Sequence, residues 1–206
     1  AVILSVLTAC GGGGGSDRVE GVAPGPSNPG GSVTSPPPAL PSPDGYADAD
    51  EVFVFITSAS IDSGNAVVNF QVTDGNNNAI VDLEADDIRV ILAKLEVSSL
   101  GNLTGEWQSY VNRIAQPAVG TGTEPRLQAT TESNGDFTDN GDGTYRYITS
   151  TNVNALPTDI LDQAATEGLD LSYKPDLTHR VAMQFSGGPN PANPWYDWVP
   201  STGATE

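Results

Sequence analysis

The chain has 206 residues, with 26 acidic side chains against 8 basic ones, a single Cys and a single His. Its formal net charge of −18 argues against a nucleic-acid partner, because binding to phosphates requires clustered Lys and Arg. One Cys forms no intramolecular disulfide, and one Cys with one His cannot build a Cys/His zinc site or a C-x-x-C-H haem attachment. No apolar run approaches the ~18 residues that a membrane-spanning helix requires.

The chain begins with an apolar run at residues 1–7, which is followed by Thr8, Ala9, Cys10 and five glycines. The run has the character of the end of a secretory h-region, and small residues before a Cys are typical of a bacterial lipobox. Residues 1–10 are therefore interpreted as a truncated lipoprotein signal, with Cys10 as the lipid attachment site. The alternative is a Cys buried in a short strand, which the five following glycines disfavour because they offer no side chains for packing.

Residues 11–45 form a segment of biased composition, with 10 Gly, 8 Pro and 5 Ser. Such a segment cannot bury enough apolar surface to offset its conformational entropy, so the composition predicts a disordered tether. Its functional interpretation is a spacer that lifts a domain off a lipid surface. A P-x-x-P ligand for a recognition domain is the alternative.

From residue 46 onward, short β-rich runs alternate with turn signals, and this region holds 23 acidic and 7 basic residues. Residues 52–56 are apolar on both faces, which predicts a central strand. In residues 66–72 the even positions are all apolar, which predicts a strand with one buried face. Further strands are predicted at residues 88–95, 107–114, 144–148 and 180–185, and one helix at residues 158–166. The pattern predicts an all-β domain over residues 46–206, as an antiparallel Greek-key sandwich or split barrel.

Two acidic clusters resemble metal loops in composition only. Residues 136–143 read DFTDNGDG, but with Gly143 at position 6 of an EF-hand loop, positions 1 and 12 fall on Thr138 and Thr149. We therefore predict a hairpin turn there, with a low-affinity calcium site as the alternative, and no metal ligand is assigned. The second cluster is interpreted as a solvated turn face and comprises Asp82, Glu84, Asp86 and Asp87.

His179 shares one face of its predicted strand with Val181, Met183 and Phe185. This spacing predicts a structural His at the end of the core face, hydrogen-bonded to a neighbour. No nucleophile elbow accompanies it, and no catalytic residue is predicted in the chain.

Near the end of the chain, Trp195, Tyr196 and Trp198 form an aromatic cluster. We interpret it as a last strand that packs its rings at a domain border. Sugar binding by stacking on these rings is the alternative.

Several stretches, taken in order, resemble the N-terminal region of the OmcA/MtrC-type decahaem c-type cytochromes of bacterial outer membranes. They are residues 7–15, GEWQSYVN at 105–112, NGDGTY at 140–145 and, most specifically, YKPDLTHRVA at 173–182 with NPWYDWVP at 193–200. Their order and spacing extend the resemblance over most of the chain.

The resemblance implies a fragment that contains the first β domain of a cell-surface lipoprotein. The parent would carry haem c and transfer electrons to extracellular metal oxides or other acceptors. The implied partners are outer-membrane lipid through acylated Cys10, the haem modules of the same parent chain and a porin-cytochrome conduit. No haem-attachment residue carries over, because the chain lacks C-x-x-C-H, so no cofactor is expected within the fragment.

The predicted function is therefore a non-catalytic N-terminal β domain of an outer-membrane, lipid-anchored multihaem cytochrome. The alternative is a stand-alone lipid-anchored extracellular domain with an adhesive or carbohydrate-binding role. For His179, a role as axial ligand to a haem carried by other residues is the alternative to the structural one.

Overall fold

The structure, a computed structural model, describes residues 40–97, 105–117, 122, 124–188 and 193–205. Cys10 and residues 11–39 of the predicted tether lie outside these residues. At the start of the described chain, the Ala79 amide donates to the Leu40 carbonyl at 2.6 Å, and the Ser42 amide donates to the Ala79 carbonyl at 2.7 Å. Residues at the end of the predicted tether therefore contact the domain, and the boundary at residue 46 stays a prediction.

The described residues form eleven strands, one 3-10 helix and one α-helix. In chain order they are β1 (Val52–Asp62), β2 (Asn65–Asp74), the 3-10 helix (Ala85–Asp87), β3 (Ile88–Glu96), β4 (Glu106–Ser109), β5 (Asn112–Ala115), β6 (Arg126–Ala129), β7 (Asp136–Asp139), β8 (Thr144–Asn152), α1 (Thr158–Thr166), β9 (His179–Phe185), β10 (Trp195–Val199) and β11 (Ala204–Thr205).

The strands build two antiparallel sheets and a separate ribbon. The first sheet has the order β1-β2-β8-β7, the second has the order β11-β10-β9-β3-β4, and β5 pairs with β6. Because β2 pairs with β8 and β3 with β9, strands far apart in sequence lie side by side. The predicted all-β antiparallel sandwich is confirmed.

Alternating side chains give the first sheet its inner face. In β2 the predicted buried face is confirmed, since the side chains at 66, 68, 70 and 72 are at most 1% exposed. In β1, Val54 and Ile56 face inward, and the pairing with β2 shifts by one residue between Ile56 and Ser58. This bulge keeps Ala59 and Ile61 against the core, because one extra residue reverses the alternation.

One core joins the two sheets, and Phe70 lies near its centre. The Phe70 ring stacks on Tyr145 of β8 at 5.4 Å between centroids and meets Phe185 of β9 edge-on at 5.7 Å. The second sheet contributes a matching set of inward side chains: Ile88, Val90, Leu92, Val181, Met183, Phe185, Tyr196 and Trp198.

Glu132 links the two sheets through both its backbone and its side chain. The Val90 amide of β3 donates to the Glu132 carbonyl at 2.8 Å, and the Glu132 amide donates to the Val90 carbonyl at 2.9 Å. Glu132 is only 7% exposed, and its carboxylate accepts hydrogen bonds from the amides of Ser150 and Thr151 in β8 at 2.8 and 2.9 Å. One residue thus fixes the spacing of the sheets at this corner.

Two strand predictions need correction. Residues 52–56 form part of β1, which is an edge strand and not a central one. The apolar side chains that suggested two covered faces, Phe53 and Phe55, are only partly buried. The predicted strand over residues 107–114 divides into β4 and β5, because the chain changes partners at Tyr110 and Val111: Tyr110 donates to Leu92 of β3, whereas Val111 accepts from Thr130.

The helix α1 has the predicted bounds, Thr158–Thr166. Ile160 and Ala164 form its buried face. Gly168 follows its end with a φ of +74°, a conformation that glycine adopts without the steric penalty of a Cβ. The Pro and Gly signals that flank the segment are thus sufficient to place it.

Candidate functional site

A metal centre requires several ligating side chains close together. Within the described part of the chain, no three His, Cys, Asp or Glu side chains gather into a group suited to a metal ion. None of the helices there has the length and hydropathy needed to cross a bilayer. The polar features that remain are two acidic turns, a buried cluster around His179 and an aromatic surface on the same sheet.

The DFTDNGDG segment comprises strand β7 and the turn of residues 140–143 that leads into β8, so the predicted hairpin turn is confirmed. Its carboxylates close the turn: Asp139 accepts the Gly141 amide at 2.7 Å, and Asp142 accepts the Thr144 amide at 2.9 Å. The side-chain and backbone hydrogen bonds from Thr144 lower the pKa of Asp142. Gly143 has a φ of +80°, and a Cβ there would lie 2.8 Å from Ala79.

The second acidic cluster surrounds the 3-10 helix before β3. The Glu84 amide donates to the Asp87 carboxylate at 3.1 Å, and Asp82 accepts the Tyr46 amide at 2.8 Å. Asp82, Glu84 and Asp86 are exposed. The predicted solvated turn face is therefore confirmed for these three residues.

His179 is fully buried on the inner face of β9, as its spacing predicts. Its Nδ1 lies 2.8 Å from the Leu177 carbonyl, which can only accept, so Nδ1 carries the proton. The Nε2 atom, 3.1 Å from the Tyr110 hydroxyl, then accepts a hydrogen bond from it. Burial lowers the pKa of His179, which favours this neutral ring.

The axial-ligand alternative for His179 finds no support in this geometry. Both ring nitrogens are engaged, and the imidazole is enclosed by rings: Tyr110 stacks on it at 5.8 Å, Tyr173 meets it edge-on at 5.5 Å, and Trp198 is tilted at 5.9 Å. A haem iron would have to displace Tyr110 to reach Nε2.

A buried cation lies beside this His. The Lys94 side chain is 0% exposed; its Nζ donates to the Ser172 carbonyl at 2.7 Å and pairs with Glu96 at 2.7 Å. Lys174 also reaches Glu96, at 2.5 Å, and Asp170, at 2.9 Å. Burial opposes ionisation of Glu96, but the hydrogen bonds from the two lysines prevail and lower its pKa.

Together these contacts tie the loop that precedes β9 to β3. Sequence reasoning missed Lys94, because apolar side chains stand at both odd and even positions of residues 88–95 and do not single out one buried face. The available signal was parity, since Lys94 continues the inward series of Ile88, Val90 and Leu92.

The opposite, outer face of the second sheet carries an aromatic platform, which we define as Trp107, Arg180, Trp195 and Asp197. Asp197 receives two hydrogen bonds from Arg180, at 2.7 Å from Nε and 2.6 Å from Nη2. The guanidinium carbon lies 4.3 Å from the Trp107 ring centroid and 5.7 Å from that of Trp195. The hydrogen bonds that Arg180 donates to Asp197 raise the pKa of Arg180.

The platform corrects the grouping of aromatic residues made from the sequence. Tyr196 and Trp198 are 6% and 1% exposed and belong to the core, which confirms the packing interpretation for those two. Trp195 points to the other face, because alternate residues of a strand face opposite sides. Its exposed companion is Trp107, which is 40% exposed and comes from β4.

The described fold is an antiparallel β-sandwich domain with a structural His and without an assigned catalytic group. Residues 53–205 match the family model of the OmcA-like N-terminal domain, and the chain belongs to this family. No curated protein matches the chain.

Two solved structures show the same fold. The outer membrane decaheme cytochrome OmcA is 30% identical over 75% of this chain and 24% of its own, with a TM-score of 0.61. MtrC from Shewanella baltica OS185 is 20% identical over 76% of this chain and 23% of its own, with a TM-score of 0.53. The matched region therefore spans about a quarter of the length of each of these two proteins.

Proposed function

We propose that this chain is the non-catalytic N-terminal β domain of a cell-surface multihaem cytochrome whose parent performs extracellular electron transfer. The observation that carries the proposal is the family match over residues 53–205, supported by the 30% identity to OmcA. Since the match covers only 24% of OmcA, the electron-transfer activity is assigned to the parent and not to this domain.

The residues of this chain do not fit a covalently bound haem. A c-type haem needs two Cys and one His in a C-x-x-C-H motif, and the chain has one Cys in total. Its one His is buried with both nitrogens hydrogen-bonded. Haem is therefore proposed only for the modules outside this domain, and the domain itself acts in spacing and packing.

The complete product of the gene that encodes this chain should stain for covalently bound haem after denaturing electrophoresis. We expect C-x-x-C-H motifs in the reading frame beyond Glu206, because the matched protein OmcA is a decaheme cytochrome. The proposal is contradicted if the denatured product retains no haem. It is also contradicted if the reading frame contains no C-x-x-C-H motif. The 206-residue chain expressed alone serves as the unstained control.

We also propose that Cys10 is acylated and that the segment up to residue 45 spaces the domain from the outer membrane. Cells that express the complete gene with radiolabelled palmitate should label the protein, and Cys10→Ala should abolish the label. Ser16→Ala, a nearby polar substitution, is the matched control and should leave labelling unchanged. Equal labelling of the Cys10→Ala variant would remove the anchor from the proposal.

A further inference from the structure

The aromatic platform defined by Trp107, Arg180, Trp195 and Asp197 is a surface that the proposed role in spacing does not use. Three strands contribute to it, since Trp107 lies on β4, Arg180 on β9, and both Trp195 and Asp197 on β10. Two small residues pair with members of the platform: Ala93 lies opposite Arg180, and Ala182 lies opposite Trp195. The indole rings of Trp107 and Trp195 thus flank the ion pair between Arg180 and Asp197.

The ion pair makes the platform close to neutral in a strongly acidic domain. Asp197 engages the Arg180 guanidinium at two nitrogen atoms, so the positive charge already has its counter-ion. The region from residue 46 onward carries 23 acidic against 7 basic residues, and this excess repels polyanions. The charges therefore disfavour an anionic ligand at the platform and favour an uncharged one.

The chemistry of the platform matches the two kinds of surface that a sugar ring presents. The electron-rich face of an indole attracts the weakly positive C–H groups on one face of a pyranose. The guanidinium keeps unused N–H donors, and the carboxylate keeps unused lone pairs, which suit neighbouring hydroxyl groups. The Arg180 guanidinium occupies one face of the Trp107 ring at 4.3 Å, while the residue remains 40% exposed. We propose that the platform binds a neutral oligosaccharide or polysaccharide, with the other face of Trp107 as the principal stacking surface.

This binding site is independent of the haem-bearing parent, so the test can use the 206-residue chain. In native affinity electrophoresis, gels that contain dextran, laminarin or mannan test neutral polysaccharides, and a gel that contains alginate tests an anionic one. We expect at least one neutral polymer to retard the protein and alginate to have no effect. Trp107→Ala should weaken the apparent affinity by about tenfold, the scale of one aromatic contact.

Two variants separate stacking from folding. Trp107→Phe keeps an aromatic ring and should retain most of the retardation, whereas Leu161→Ala removes an equally exposed apolar side chain on α1 and should retain all of it. Thermal unfolding must show that every variant is folded. The proposal is overturned if no neutral polymer retards the protein, if only alginate does, or if Trp107→Ala binds as well as the original chain. It is also overturned if Trp107→Ala instead converts a dimer to a monomer in gel filtration.

Discussion

Replacing Phe70 with alanine is expected to lower the free energy of unfolding by about 3–5 kcal/mol, the range measured for large aromatic truncations in cores. The ring is 1% exposed and contacts Tyr145 in its own sheet and Phe185 in the opposite one. Its removal leaves a cavity between the sheets that neither backbone can close. Denaturant unfolding followed by tryptophan fluorescence measures the change.

Phe53→Ala is the matched control for that prediction. Phe53 lies on the outward-facing side of edge strand β1 and is only partly buried. The same truncation there should cost about 1 kcal/mol, because less apolar surface returns to water. Similar losses for the two variants would mean that Phe70 does not join the two sheets as described.

Glu132→Ala should cost about 2–3 kcal/mol, since it removes a charged acceptor and leaves two backbone donors without a partner. The donors are the Ser150 and Thr151 amides, which lie 2.8 and 2.9 Å from the carboxylate. Denaturant unfolding again gives the magnitude. Hydrogen exchange adds a local readout, because the amides at 150 and 151 should lose protection first.

Two further variants test that interpretation. Glu132→Gln keeps one carbonyl acceptor and should lose less stability than Glu132→Ala. Glu106→Ala removes an exposed carboxylate from β4 and should change the free energy of unfolding by less than about 0.5 kcal/mol. The role assigned to Glu132 fails if the alanine variants at 106 and 132 are equally stable.

Local patterns predicted the elements whose signals lie within a few residues of one another. The Pro and Gly that flank α1, the alternation in β2 and the turn before β8 each reflect a short-range constraint on the backbone. The inward position of His179 followed from strand parity with Val181 and Met183. These features need no knowledge of which strands pair.

The remaining features depend on strand order, which a single sequence does not encode locally. Trp107 and Arg180 meet because β3 pairs with β4 on one side and with β9 on the other. Glu132 lies outside the regular strands and gains its role from an isolated bridge to β3. The edge position of β1 was missed for the same reason, because two partly covered phenylalanines resemble the pattern of a central strand.

The pairing of Glu132 with Val90 also has a mechanical consequence. Relative sliding of the two sheets would load the contacts that join them. Side-chain contacts yield gradually to such sliding, whereas the two backbone hydrogen bonds at 2.8 and 2.9 Å must break together. This corner would therefore act as a shear clamp that holds the sandwich intact under load.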